Sequence, residues 1–116
     1  MTTEELESHF RSLGWTVDQI MGADRRLYTK VVDYVIPVGK FTGKVCSVAI
    51  PHVTAVPYVF PPSVHVSPHL VPMDLGRYRT RPSPVGPGWQ YFSRVLRGAA
   101  TPRNVVAHLA TIFREL

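Results

Sequence analysis

Cysteine is nearly absent: Cys46 is the only one among 116 residues. A lone thiol excludes an internal disulfide framework and fits a reducing compartment. Long apolar runs are missing as well. Nothing approaches the roughly 20 consecutive apolar residues that cross a bilayer. The start, Met1-Thr2-Thr3-Glu4-Glu5, is acidic and unlike a secretory leader. The expectation is a cytoplasmic protein without a membrane partner. Acidic residues are scarce, 8 against 13 Lys and Arg, for a net charge of +5. Glu4, Glu5 and Glu7 crowd the start, whereas Arg77, Arg79, Arg81, Arg94, Arg97 and Arg103 gather later. A basic face of this kind meets an acidic protein or a nucleic acid, or stays solvated. Apolar content of 45% against 18% charged residues argues against disorder. The length suits one core in one domain, residues 1–116.

The usual marks of catalysis are also missing. There is no Gly-x-Gly-x-x-Gly, no Walker-type phosphate loop and no Gly-x-Ser-x-Gly elbow. Neither Cys-x-x-Cys nor His-Glu-x-x-His supplies a zinc pattern. Of the histidines His9, His52, His65, His69 and His108, two lie four apart, but Pro68 between His65 and His69 denies them a shared helical face. Asp18, Asp24, Asp33 and Asp74 are scattered and assign no carboxylate pair. No metal and no cofactor is expected.

What is present is an ordered series of local patterns. Thr2 and Glu5 offer a capping box, Leu6, Phe10 and Leu13 follow at helical spacing, and Gly14 suits the exit. A short helix is predicted over residues 3–13, lying on a sheet because its apolar stripe is narrow. Strands are predicted over 15–21, 27–36, 44–50 and 63–67, rich in Val, Ile, Tyr and Thr and separated by Gly-bearing turns. Close sequential spacing favours an antiparallel meander. All prolines but Pro37 fall at or after Pro51, and they bar a long helix from 51–87. Thr101-Pro102 opens a second helix, predicted to run to about residue 115, with Val105, Leu109, Ile112 and Leu116 as its apolar stripe. Residues 89–96 read either as a short helix or as a strand-like segment. The fold class is α+β: an N-terminal helix, a four-stranded antiparallel meander, a Pro-rich loop and a C-terminal helix.

That order, with Pro57-Tyr58-Val59-Phe60-Pro61-Pro62-Ser63-Val64 leading into the fourth strand, resembles the ubiquitin-conjugating (UBC-like) superfamily. The tail, Trp89-Gln90-Tyr91-Phe92-Ser93-Arg94 with His108-Leu109-Ala110, is similar to its bacterial branch, the prokaryotic family E conjugating-like proteins. The resemblance implies a bacterial ubiquitin-like modification pathway. Its implied partners are a ubiquitin-like protein, an activating-enzyme homologue, or both, with an isopeptidase in the same pathway. The departure lies in 70–88, where the family's active members carry their nucleophilic cysteine and this chain has none. Ser67-Pro68-His69-Leu70 is a scrambled echo of the usual His-Pro-Asn. A hydroxyl such as Ser83 is a far weaker nucleophile unless a base activates it. The expectation is therefore a catalytically inactive variant, with no catalytic residue, that binds its partner non-covalently.

The polar residues expected to meet that partner are His65, His69, Arg77, Tyr78, Arg79, Arg81, Arg94 and His108. Trp89 and Phe92 are assigned to the core. Two alternatives stand beside this. An atypical conjugating enzyme would use Cys46. That requires an exposed thiol, whereas alternation with Val48 and Ile50 predicts a buried, inert one. A small nucleic-acid-binding domain would use Arg77-Tyr78-Arg79-Thr80-Arg81, cations interleaved with a ring. The latter is disfavoured by the lack of any RNA-binding sheet or helix-turn-helix pattern.

Overall fold

The computed structural model describes residues 1–74 and 76–116. Helix α1 (Thr3–Ser12) starts where the capping pattern places it: the Thr2 side chain accepts from the Glu5 backbone N–H. Its stripe is Leu6 and Phe10, both buried, flanked by Thr3 and Glu7, also buried. Three strands follow, β1 (Thr16–Met21), β2 (Leu27–Val35) and β3 (Val45–Pro51), then β4 (Ser63–Ser67) beyond the first proline-rich crossing. Short strands β5 (Thr80–Pro82) and β6 (Gln90–Ser93) precede helix α2 (Pro102–Arg114). At the start of α2 the Thr101 side chain accepts from the Asn104 N–H and Pro102 occupies the first turn, where its missing donor is harmless.

The sheet is antiparallel and ordered β1-β2-β3-β4-β6-β5. The α+β class and the sequential meander β1 to β4 hold. The expected strand count of four is corrected to six. Within the segment 89–96, Gln90–Ser93 form strand β6, which adds to the β4 edge and carries β5 on its far side. Three- and four-residue strands are too short to show a period of two. Pro82 lies in β5, the outermost strand, which has a partner on one side only.

One face of the sheet holds the main core. Val31, Tyr34, Cys46, Val48, Ile50, Val64, Val66 and Phe92 pack with Leu6 and Phe10 of α1 and with Val105, Leu109, Ile112 and Phe113 of α2. A bulge between Val31 and Tyr34 makes this possible. Asp33 takes a φ of 55° and points to solvent, which returns Tyr34 to the covered face, where it stacks on Phe113 at 5.2 Å. The turn after β2 approaches α2 so closely that a Cβ at Gly39 (φ +92°) would meet the Phe113 carbonyl oxygen at 2.8 Å.

The opposite face is covered only in part. Tyr28, Ala49 and Val85 form a small second cluster, with Ile20 and Trp89 beside it. Val85 belongs to a strap, residues 82–89, that crosses this face to the β1–β2 turn. The Ala23 N–H donates to the Val85 carbonyl at 2.9 Å and the Asp24 N–H to the Pro84 carbonyl at 3.2 Å.

Candidate functional site

Cys46 lies mid-sheet on the core face and is 3% exposed. Burial pushes its thiol up to about 12, so the thiolate needed for nucleophilic attack is essentially unpopulated at neutral pH. Thiol labelling of the native protein is expected to run orders of magnitude slower than that of the unfolded chain. Comparable rates would show that the strand opens freely. Cys46→Ala should fold and be the cleaner test, whereas Cys46→Ser places a hydroxyl among apolar neighbours at about 1–3 kcal/mol.

Under the strap, β4 turns His65 toward the second face, where it is 1% exposed. The rings of Tyr28 and Tyr91 meet it edge-on at 5.3 and 5.2 Å. Its Nδ1 lies 2.7 Å from Ser83 Oγ, which also accepts from the Val85 N–H at 3.0 Å. The serine oxygen has a second lone pair and a proton to offer Nδ1, so the imidazole tautomer sets which of the two donates; burial keeps the ring neutral. Desolvation holds His65 down at about 4, against a smaller opposing effect of Asp24. So weak a base gives Ser83 little activation. The pair ties the strap to the sheet, and His65 is not presented to a partner. Asp24 reinforces the same end of the strap. Its carboxylate accepts from the Tyr28 hydroxyl at 2.6 Å and the Arg26 N–H at 3.1 Å.

Two concavities stand out among the described residues. The first, about 600 Å³, is shallow and lies along the strap between Pro82, Pro84, Pro87 and Trp89, with His69 and Met73 at its rim. His69 is exposed there and its Nε2 lies 3.1 Å from the Trp89 carbonyl.

The second, about 570 Å³, runs between the chain leaving β6 and the outer face of α2, and is the more polar. It brings together three of the expected contact residues, Arg79, Arg94 and His108, and adds Arg97, Asn104 and Glu115. Arg94 is 8% exposed. Its Nη atoms donate to the carbonyls of Ser93 (2.9 Å), Tyr78 (2.8 Å) and Arg79 (3.4 Å), so the guanidinium is clamped. Its Nε stands 3.5 Å from Glu115 Oε2 without hydrogen-bond geometry. Arg79 reaches the same oxygen at 3.7 Å. His108, half-buried against the Phe60 ring, has a buried Nε2 with no partner. Burial lowers its pKa, Glu115 opposes that, and Arg94 adds to it.

Arg77, Tyr78 and Arg81 fall outside the groove. The Arg77 guanidinium lies over the Tyr78 ring at 5.0 Å and that of Arg81 over Tyr91 at 4.6 Å. Both rings already carry a cation, which leaves them less free to stack a base. Among the described residues, no group of three His, Cys, Asp or Glu side chains comes together as a metal site, and no helix is long and apolar enough to cross a membrane.

Sequence reasoning missed Arg97, Asn104 and Glu115 in the groove. The available signal was the spacing Asn104, His108, Thr111, Glu115 along one side of α2. Comparison with known proteins returns no matching family model, no matching curated protein and no matching solved structure.

Proposed function

We propose that the chain is a non-catalytic UBC-like protein of a bacterial ubiquitin-like modification pathway. In this reading it acts in the cytoplasm and binds a ubiquitin-like protein or an activating-enzyme homologue without a covalent bond. The observation that carries this reading is the placement of the chain's only cysteine, sealed in the core with its thiol raised to about 12. A thioester requires a reachable thiolate. Support also comes from the order helix, meander, proline-rich crossing and closing helix, together with the Pro-Pro and Trp-Gln motifs. The basic groove beside α2 supplies a surface on which a partner can be held.

The test is calorimetric titration with a ubiquitin-like protein and with an activating-enzyme homologue of such a pathway. Reversible binding is expected, equal in Cys46→Ala and without a thiol-cleavable adduct. An adduct that reductant releases and Cys46→Ala abolishes would make the chain a conjugating enzyme. Absence of binding to either partner would overturn the proposal.

A further inference from the structure

We propose that the groove between β6 and α2 receives a carboxylate carried on an extended peptide of the partner, with Arg94, Arg97 and His108 around the carboxylate and Val95 and Leu96 against its apolar neighbours. This rests on the binding-protein reading above and names the chemistry of the contact. Two buried nitrogens at the groove, Arg94 Nε and His108 Nε2, lack hydrogen-bond partners. Buried polar atoms are rarely left so, and each exception calls for a partner. The Arg94 guanidinium cannot swing away to find one, because three backbone carbonyls hold its Nη atoms.

The molecule itself shows which acceptor suits this place. The Glu115 carboxylate leans on both Arg94 and Arg79, at 3.5 and 3.7 Å. Charge-assisted N–H···O bonds close at about 2.7–2.9 Å. Glu115 is half exposed at the end of α2 and does not close either contact. It is a loosely held occupant that a better-placed carboxylate can displace. Three arginines, Arg79, Arg94 and Arg97, line the groove with one carboxylate, Glu115, so the lining keeps a positive surplus. Val95 is 74% exposed, and Val95 and Leu96 give the groove an apolar border. A volume of about 570 Å³ matches sites for organic ligands rather than a single inorganic anion.

The experiment uses three acetylated Gly- and Leu-containing pentapeptides, followed by NMR of the Arg94 Nε–H and the His108 ring. One has a free C-terminus, one is amidated with a Glu side chain, and one is amidated with Gln in its place. The first two separate a terminal from a side-chain carboxylate. At least one should shift both resonances and bind five-fold or more tighter than the neutral peptide. Glu115→Gln, which removes the internal competitor, should tighten that binding several-fold. Arg97→Gln, at an exposed position, should weaken it several-fold. Arg94 is left intact because it holds the 78–79 segment. Equal binding of all three peptides, or weaker binding by Glu115→Gln, overturns the proposal. So does inorganic phosphate shifting the same resonances at equal affinity, which would mark a simple anion site. The same variants titrated with the protein partner separate the two readings. A partner bound unchanged, with no peptide response, removes the groove alone. A peptide carboxylate captured by a chain that binds neither partner removes the pathway assignment alone.

Discussion

Acidification from pH 6.5 to pH 4 is expected to remove up to about 3 kcal/mol of folding free energy through His65 alone. The folded imidazole is held at about 4, below its ordinary 6.5, because burial between Tyr28 and Tyr91 disfavours its charged form. Between those values the unfolded chain binds a proton that the folded chain refuses. The stabilisation is therefore complete above about pH 6.5 and lost as pH falls toward 4. His108, also depressed, acts with the same sign. Asp24, whose carboxyl is lowered, loses its contribution further down, below its ordinary 3.8. A paired variant isolates His65. His65→Phe with Ser83→Ala removes both ends of that hydrogen bond and fills the aromatic cradle, leaving the Val85 N–H without its acceptor, so the loss at pH 7 should stay within about 1–3 kcal/mol. Urea unfolding at steps between pH 7 and 4 should show a flatter stability profile for the pair than for the natural chain. An identical profile would mean that His65 reaches water before the protein unfolds.

Glu7→Ala should be among the most destabilising single changes in the chain, at about 2–4 kcal/mol. Glu7 is 3% exposed beneath α1. Its carboxylate accepts from the Thr29 hydroxyl at 2.6 Å and from Gln19 at 3.1 Å, and His52 Nε2 lies 3.4 Å away. Truncation leaves the Thr29 hydroxyl buried without its acceptor and removes the carboxylate nearest His52 Nε2, which has no hydrogen-bond partner of its own. Glu7→Gln keeps the shape and one acceptor oxygen and should cost about half as much. Thermal unfolding of both variants, beside the exposed control Glu4→Ala, gives the comparison. Equal melting points for Glu7→Ala and Glu4→Ala would show that α1 is held by Leu6 and Phe10 alone.

Much of the fold is legible in the sequence. The caps at Thr2 and Thr101, the stripes of both helices, the first four strands and the burial of Cys46 follow from residue spacing. What escaped was long-range. Glu7 stands out in the sequence only as one of the acidic residues crowding the start, although Thr3, Leu6, Glu7 and Phe10 share one helical face. His65, read as a contact residue, sits on the strand face that the strap covers, and no local pattern announces the strap.

The sequence by itself determined the elements whose signals act within a few residues: caps, helical stripes, and alternation along strands of five residues or more. It also determined that no second thiol exists. Tertiary structure alone decided the β5–β6 addition to the sheet, the Ser83–His65 tie across 18 residues and the Thr3–Val53 tie across 50. It decided the meeting of Arg79, Arg94 and Glu115 as well. The physical reason is range. Backbone propensity and periodicity are set by near neighbours, whereas these contacts exist only once the sheet and α2 have brought distant segments together.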